Sequence, residues 1–131
     1  MAAAESYPDD LKYHREHDWA RIDGDEAVLG VTWFAQDSLG ELVHFEAPEA
    51  GATVTRDESY GEVESVKAVS DLIAPLSGEV LEVNQAVVDA PETVNEDPYG
   101  NGWLIRIRLS DPGEVDGLLD LAAYQQVLAE Q

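Results

Sequence analysis

A chain of 131 residues is long enough for one domain with a real core and too short for two ordinary ones. Its 28 Asp and Glu against 7 Lys and Arg, a formal net charge of −21, oppose binding to nucleic acid or to an anionic membrane. With no cysteine there is no disulfide framework, thiolate metal site or cysteine nucleophile, so any redox sulfur must come from an added group.

In chain order, Trp19-Ala20-Arg21-Ile22 and Ala27-Val28-Leu29-Gly30-Val31 flank Asp23-Gly24-Asp25-Glu26, an Asp-Gly turn signal that predicts a hairpin. Thr32 offers an N-cap and Gly40 a left-handed helix end, so a short helix is expected between them, with Trp33 and Phe34 read as core. Leu42 to Ala47 is strand-like and Pro48 closes it. From Thr53 to Val83 the chain is rich in valine and broken by Gly61, Pro75 and Gly78, which predicts several short strands. Within it Gly61-Glu62-Val63-Glu64-Ser65-Val66 is echoed by Gly78-Glu79-Val80-Leu81-Glu82-Val83. The two valines of each copy lie three apart and cannot share one side of a regular strand, so a bulge or bend is expected in each.

Pro91 to Tyr99 reads as a short helix or turn, ended by Pro98 and Gly100-Asn101-Gly102. Trp103, Ile105, Ile107 and Leu109 then alternate with Leu104, Arg106 and Arg108, a strand with one face in the core, Trp103 included. Beyond Asp111 and Pro112, the apolar positions from Val115 to Val127 recur at helical spacing and predict a C-terminal helix. The expected organisation over 1–131 is one mainly β domain, a body of short strands at about 13–109 and a helix at 111–129.

The acid is spread along the chain while its apolar content remains that of a globular protein, the pattern expected in a cytoplasm of very high salt, where screening shortens like-charge repulsion. A salt-loving source follows as an expectation: unfolding free energy from urea titration should rise with salt, and a flat or falling series would refute it. No run of about 18 apolar residues occurs, and Met1-Ala2-Ala3-Ala4-Glu5 lacks the basic and apolar regions of a signal peptide, so a soluble cytoplasmic protein is expected. Of the seven basic residues five are arginine, leaving Lys12 and Lys67 as lysines.

Glu64-Ser65-Val66-Lys67-Ala68-Val69-Ser70-Asp71 resembles the lipoyl-lysine segment of the glycine cleavage system H proteins. The resemblance extends over Glu16-His17-Asp18-Trp19, Val28-Leu29-Gly30-Val31-Thr32, Ala35-Gln36, Leu39-Gly40, Ser77-Gly78-Glu79-Val80, Val94-Asn95-Glu96-Asp97-Pro98-Tyr99 and Gly102-Trp103-Leu104-Ile105, from about Tyr13 to Tyr124. It implies a flattened barrel or sandwich of short strands in two similar halves, the hybrid fold of lipoyl and biotinyl domains, with lipoic acid attached to Lys67 at a hairpin tip. Gly51 and Gly78 flank Lys67 at spacings that resemble those of lipoyl domains, where glycine permits tight turns. With Glu64 they would help the lipoate-attaching enzyme recognise the hairpin.

By the same resemblance the chain is a non-catalytic carrier. A pyridoxal phosphate-dependent glycine decarboxylase, the P protein, would transfer the aminomethyl group of glycine to the oxidised arm. A tetrahydrofolate-dependent aminomethyltransferase, the T protein, would take the one-carbon unit and release ammonia, and dihydrolipoyl dehydrogenase, the L protein, would reoxidise the arm. The loaded arm would fold into a cleft where Asp18 and Asp71 pair with its amine, with Glu16 close in sequence; Asp18 stands where the family usually has glutamate. A flexible lysine stem whose charge is removed by amide formation suits such an arm, and tethering raises the effective concentration of the reactive sulfur.

Other readings fit less of the chain. Biotinyl lysines are usually flanked by methionine, whereas Val66 and Ala68 flank Lys67, and the lipoyl domain of a 2-oxoacid dehydrogenase usually carries Asp before its lysine. A small metal-dependent hydrolase would need an assembled ligand motif. His14 and His17 have metal-like spacing only on a helix, and their surroundings read as extended, so no metal is expected.

Overall fold

The structure is a computed structural model that describes residues 3–131. The expected hairpin is formed by β2 (Asp18–Asp23) and β3 (Glu26–Val31), paired from Asp18↔Val31 to Asp23↔Glu26. Of the two turn residues Gly24 alone takes a positive φ, 64°, as a type II′ turn requires. β1 (Lys12–His14) lines the free edge of β2, and β9 (Ile105–Leu109) lines that of β3. β8 (Gly78–Val83) and the two-residue β5 (Thr53–Val54) complete a six-stranded antiparallel sheet in the order β1-β2-β3-β9-β8-β5. A second sheet of three antiparallel strands, β4 (Leu42–Glu46), β6 (Ser59–Ser65) and β7 (Val69–Ile73), has the order β4-β6-β7.

The main core lies between the sheets. Alternation sends Ala20, Ala27, Leu29, Val31, Ile105, Ile107, Leu109 and Val80 inward from the large sheet, to meet Leu42, Phe45, Tyr60, Val63 and Leu72 from the small one. The period-two run before Leu109 thus becomes a strand with buried Ile105, Ile107 and Leu109, as expected. The other face of the large sheet carries a second cluster of Leu11, Tyr13, Trp19 and Tyr124. Trp33, Phe34 and Trp103 are only partly buried; the fully buried indole is Trp19. Trp33 and Phe34 open a seven-residue helix that lies over the sheets and is too short to bury a full face.

That helix, α1 (Trp33–Leu39), starts where Thr32 Oγ1 accepts from the Ala35 N–H at 3.4 Å and ends at Gly40, whose φ is 85°. Two further short helices follow β8. α2 (Gln85–Asp89), not foreseen, is capped by Asn84 Oδ1, which accepts from the Ala86 N–H; α3 (Thr93–Glu96) falls within the helix or turn expected at Pro91–Tyr99.

The C-terminal helix is shorter than expected. A 3-10 turn, Pro112–Gly117, is followed by an extended Leu118, and only then by α4 (Leu121–Ala129). The break has a physical cause: Leu119 exchanges both backbone hydrogen bonds with Tyr13 at 2.8 Å, adding one bridge to the β1 edge, and Asp120 then caps α4 by accepting from the Ala123 N–H at 2.8 Å. Both echoed segments become strands with a register irregularity. In β8 it adds Leu81, inside the echo, whereas in β6 it adds Tyr60, one residue before Gly61.

Candidate functional site

Lys67 sits at the tip of the β6–β7 hairpin. Its turn is held by Ser65, whose N–H donates to Ala68 O at 2.8 Å and whose Oγ accepts from the N–H groups of Lys67 and Ala68 at 3.2 and 3.1 Å. A buried serine thus replaces the glycine-dependent geometry of a tight hairpin with a side-chain clamp. Lys67 is exposed and forms no ion pair among the described residues. Its stem passes the end of α1, where a Cβ built on Gly40 would stand 3.6 Å from Lys67 Cε.

The tip is apolar for an exposed surface: Val66 is 76% exposed, Val69 59% and Val43, on the adjacent β4, 49%. Beside it opens a cleft of about 320 Å³ lined by Gln36, Asp37, Gly40, Glu41, Glu92, Asn95 and Glu96. Asn95 ties its walls together, accepting from the Leu42 N–H at 2.9 Å and donating to Gln36 Oε1 and Gly40 O at 3.0 and 2.9 Å. Residue-by-residue reading of the sequence assigned Asn95 no role, although it lies inside one of the motifs that carry the resemblance.

The three candidate acids have three different environments. Asp18 is 2% exposed and faces the interior between the sheets; burial pushes its carboxyl well above the usual range, with the neighbouring Glu16 charge adding to it. Glu16 is exposed and lines a separate cleft of about 360 Å³ with His14, Arg15, Arg56 and Asp57. There the Glu16 N–H donates to His14 Nδ1 at 3.0 Å, which leaves Nε2 to carry the proton toward Asp57 Oδ1 at 2.7 Å. Asp71 is exposed on β7 opposite Glu62 and accepts from Ser59 Oγ at 3.3 Å.

A raised folded pKa at Asp18 has a definite sign. The folded state holds a proton that the unfolded state has released, so Asp18 costs stability as pH climbs from the ordinary carboxylate range, about 3.9, toward the raised folded value. Asp18→Asn should therefore be more stable than wild type by about 1–3 kcal/mol at pH 7, with the difference shrinking toward pH 4 in urea unfolding. An unchanged difference across that range would contradict the assignment.

Glu64 is exposed on β6, three residues before Lys67 and opposite Val69 and His44. Gly51 and Gly78 do not belong to the Lys67 turn; both lie at the β5–β8 pair of the large sheet, where the Gly51 N–H donates to Val80 O at 2.8 Å and Gly78 faces Val54. Gly51, with φ 90°, does serve a turn. Gly78 does not: it faces Leu109 in β9, and a Cβ there would overlap Arg108 O, so glycine is required by close backbone approach.

The sequence profile of the family described as Glycine cleavage H-protein matches residues 11–131. The chain is 54% identical over 125 residues to the glycine cleavage system H protein of Myxococcus xanthus, covering 95% of this chain and 97% of the relative. Identity to the protein of that name from Halorhodospira halophila is also 54% over 125 residues, covering 95% and 96%. The crystal structure of a glycine cleavage system H protein from Mycobacterium marinum matches with a TM-score of 0.86 at 44% identity, covering 94% of this chain and 99% of that one.

Proposed function

Because the chain belongs to the glycine cleavage H-protein family, we propose that it carries lipoic acid on Lys67. In that role it passes the aminomethyl group of glycine from the P protein to the T protein and is reoxidised by the L protein. The observation that carries this reading is the setting of Lys67: an exposed amine without an ion pair among the described residues, at the tip of a hairpin whose backbone is clamped by Ser65.

The residues present suit the group. The amine is exposed to an attaching enzyme, and the stem runs past Gly40 at ordinary contact distance. The attached group supplies a disulfide–dithiol couple at the end of a mobile stem. Everything else is the work of this chain: Ser65 holds the turn rigid, Glu64 and the exposed valines form the face an enzyme meets, and Asp18 and Asp71 are the acids offered to a cationic amine. Gly51 and Gly78 support recognition only through the shape of the body. No helix among the described residues is long and apolar enough to cross a membrane, and a cytoplasmic location is part of the proposal.

The test is the mass of protein isolated from its native source in cells supplied with lipoate. A lipoyl increment on the peptide containing Lys67 is expected. Its absence there, or its presence on Lys12 instead, would overturn the reading.

A further inference from the structure

We propose that Asn95 is a positioning residue for Lys67: its side-chain amide sets, from two flanks, the frame in which an attaching enzyme meets the lysine. This deepens the carrier reading, on which it rests, by extending the site from the hairpin tip to a side chain of α3.

Asn95 is 8% exposed. The Leu42 N–H can only donate and Gly40 O can only accept, so Oδ1 must face the first and Nδ2 the second, each at 2.9 Å. The remaining amide hydrogen goes to Gln36 Oε1 at 3.0 Å, which orients Gln36 in turn, so that its Nε2 donates to Trp33 O at 3.0 Å. One side chain thereby holds the first turn of α1, the end of α1 and the start of β4. Its own main chain is fixed as well, with the N–H donating to Glu92 O at 3.0 Å and the carbonyl accepting from the Ala3 N–H at 2.9 Å.

Both flanks lead to the lysine. Leu42 is the strand partner of Ser65, the residue whose Oγ accepts from the Lys67 and Ala68 N–H groups. The β4–β6 ladder is irregular between Leu42 and His44, which leaves Val43 as the extra residue, exposed beside the tip. On the other flank Gly40 lies against the stem, where a Cβ would stand 3.6 Å from Lys67 Cε. None of these bonds involves the amine itself, so Asn95 governs how the lysine is presented and not how it reacts. Aspartate has the same shape and keeps the bond to Leu42, but it has no N–H for Gln36 Oε1 or Gly40 O and turns an oxygen on two acceptors.

The test uses the full chain as substrate of a lipoate ligase supplied with lipoate and ATP, well below every variant's melting temperature. Asn95→Asp should raise KM for the protein about tenfold with kcat unchanged, the pattern of lost docking. Gln36→Met, which removes one of the two donated bonds, should raise KM less, and it carries the test if Asn95→Asp does not fold. Ile107→Val, a core substitution in β9 outside the junction, should lower the melting temperature and leave both constants alone. On the unmodified chain, hydrogen exchange at the Lys67 and Ala68 amides should quicken in Asn95→Asp while the Val80 amide of the large sheet, bonded to Ala52 O, stays as in wild type. Unchanged KM in both junction variants, an equal rise in Ile107→Val, or unchanged exchange at the Lys67 turn would each overturn the proposal. The mass of the Lys67 peptide decides the carrier reading separately, and the exchange measurement needs no lipoate, so either can fail alone.

Discussion

Replacing Lys67 with arginine is expected to abolish lipoyl attachment and, with it, glycine decarboxylation in a reconstituted system, while leaving the fold intact. Arginine keeps the charge and most of the length, but its guanidinium does not deprotonate and cannot serve as the amine of an amide. The fold should not notice. Lys67 is exposed, its side chain has no ion pair among the described residues, and the turn is held by Ser65 instead. Unfolding free energy should stay within about 0.5 kcal/mol of wild type, the usual range for a surface substitution away from special features. Lys12→Arg, the control at the one other lysine, should keep full activity. Activity surviving in Lys67→Arg would put the arm elsewhere.

Trp19→Ala should have the largest effect on stability, a loss of about 3–5 kcal/mol in urea unfolding. The indole is fully buried in the second cluster and its N–H donates to Pro98 O at 3.0 Å. Its ring lies flat on Gly30, where a Cβ would stand 2.5 Å from ring carbons. Two sheet strands hold that floor in place, so the site cannot collapse around an alanine. Trp103, half-buried at the rim of the same cluster, is the comparison. Trp103→Ala should cost distinctly less, and equal losses would refute the assignment of Trp19 as the central indole.

The consequence reaches Lys67 through a chain of contacts. In the cluster around Trp19, Tyr13 stacks on Tyr124 of α4 at 4.6 Å, and the Tyr124 hydroxyl meets Thr32 Oγ1 at 2.8 Å. Thr32 caps α1, and α1 ends at the Gly40 that lies beside the lysine stem. Loosening the second cluster should therefore slow lipoylation of Lys67 even under conditions that keep Trp19→Ala folded; an unchanged rate there would show that these contacts do not reach the lysine.

Local signals were read correctly from the chain itself. The Asp23–Glu26 turn, the Thr32 and Gly40 ends of α1 and the alternation before Leu109 depend on backbone preferences and on which side chains avoid water, both carried by neighbouring residues. The helix after Pro112 failed for the same reason in reverse. Its apolar spacing was helical, but Leu119 gained two hydrogen bonds at the distant β1 edge that no neighbour could have announced.

The candidate site divides along the same line. By itself the sequence determined the family, and through it the hairpin and the lysine at its tip, because the octapeptide around Lys67 and the motifs from Glu16 to Ile105 together carry the resemblance. Only the tertiary structure decided what the acids and glycines do. Asp18 is buried at the start of β2, where it pairs with His14 of β1 and Val31 of β3, whereas Glu16, two residues earlier, is exposed in another cleft. Gly78 is needed because β9, arriving from 27 to 31 residues later, presses Arg108 O against it. A charge is costly, or a glycine obligatory, according to what packs against it, and those neighbours come from strands far away in the chain.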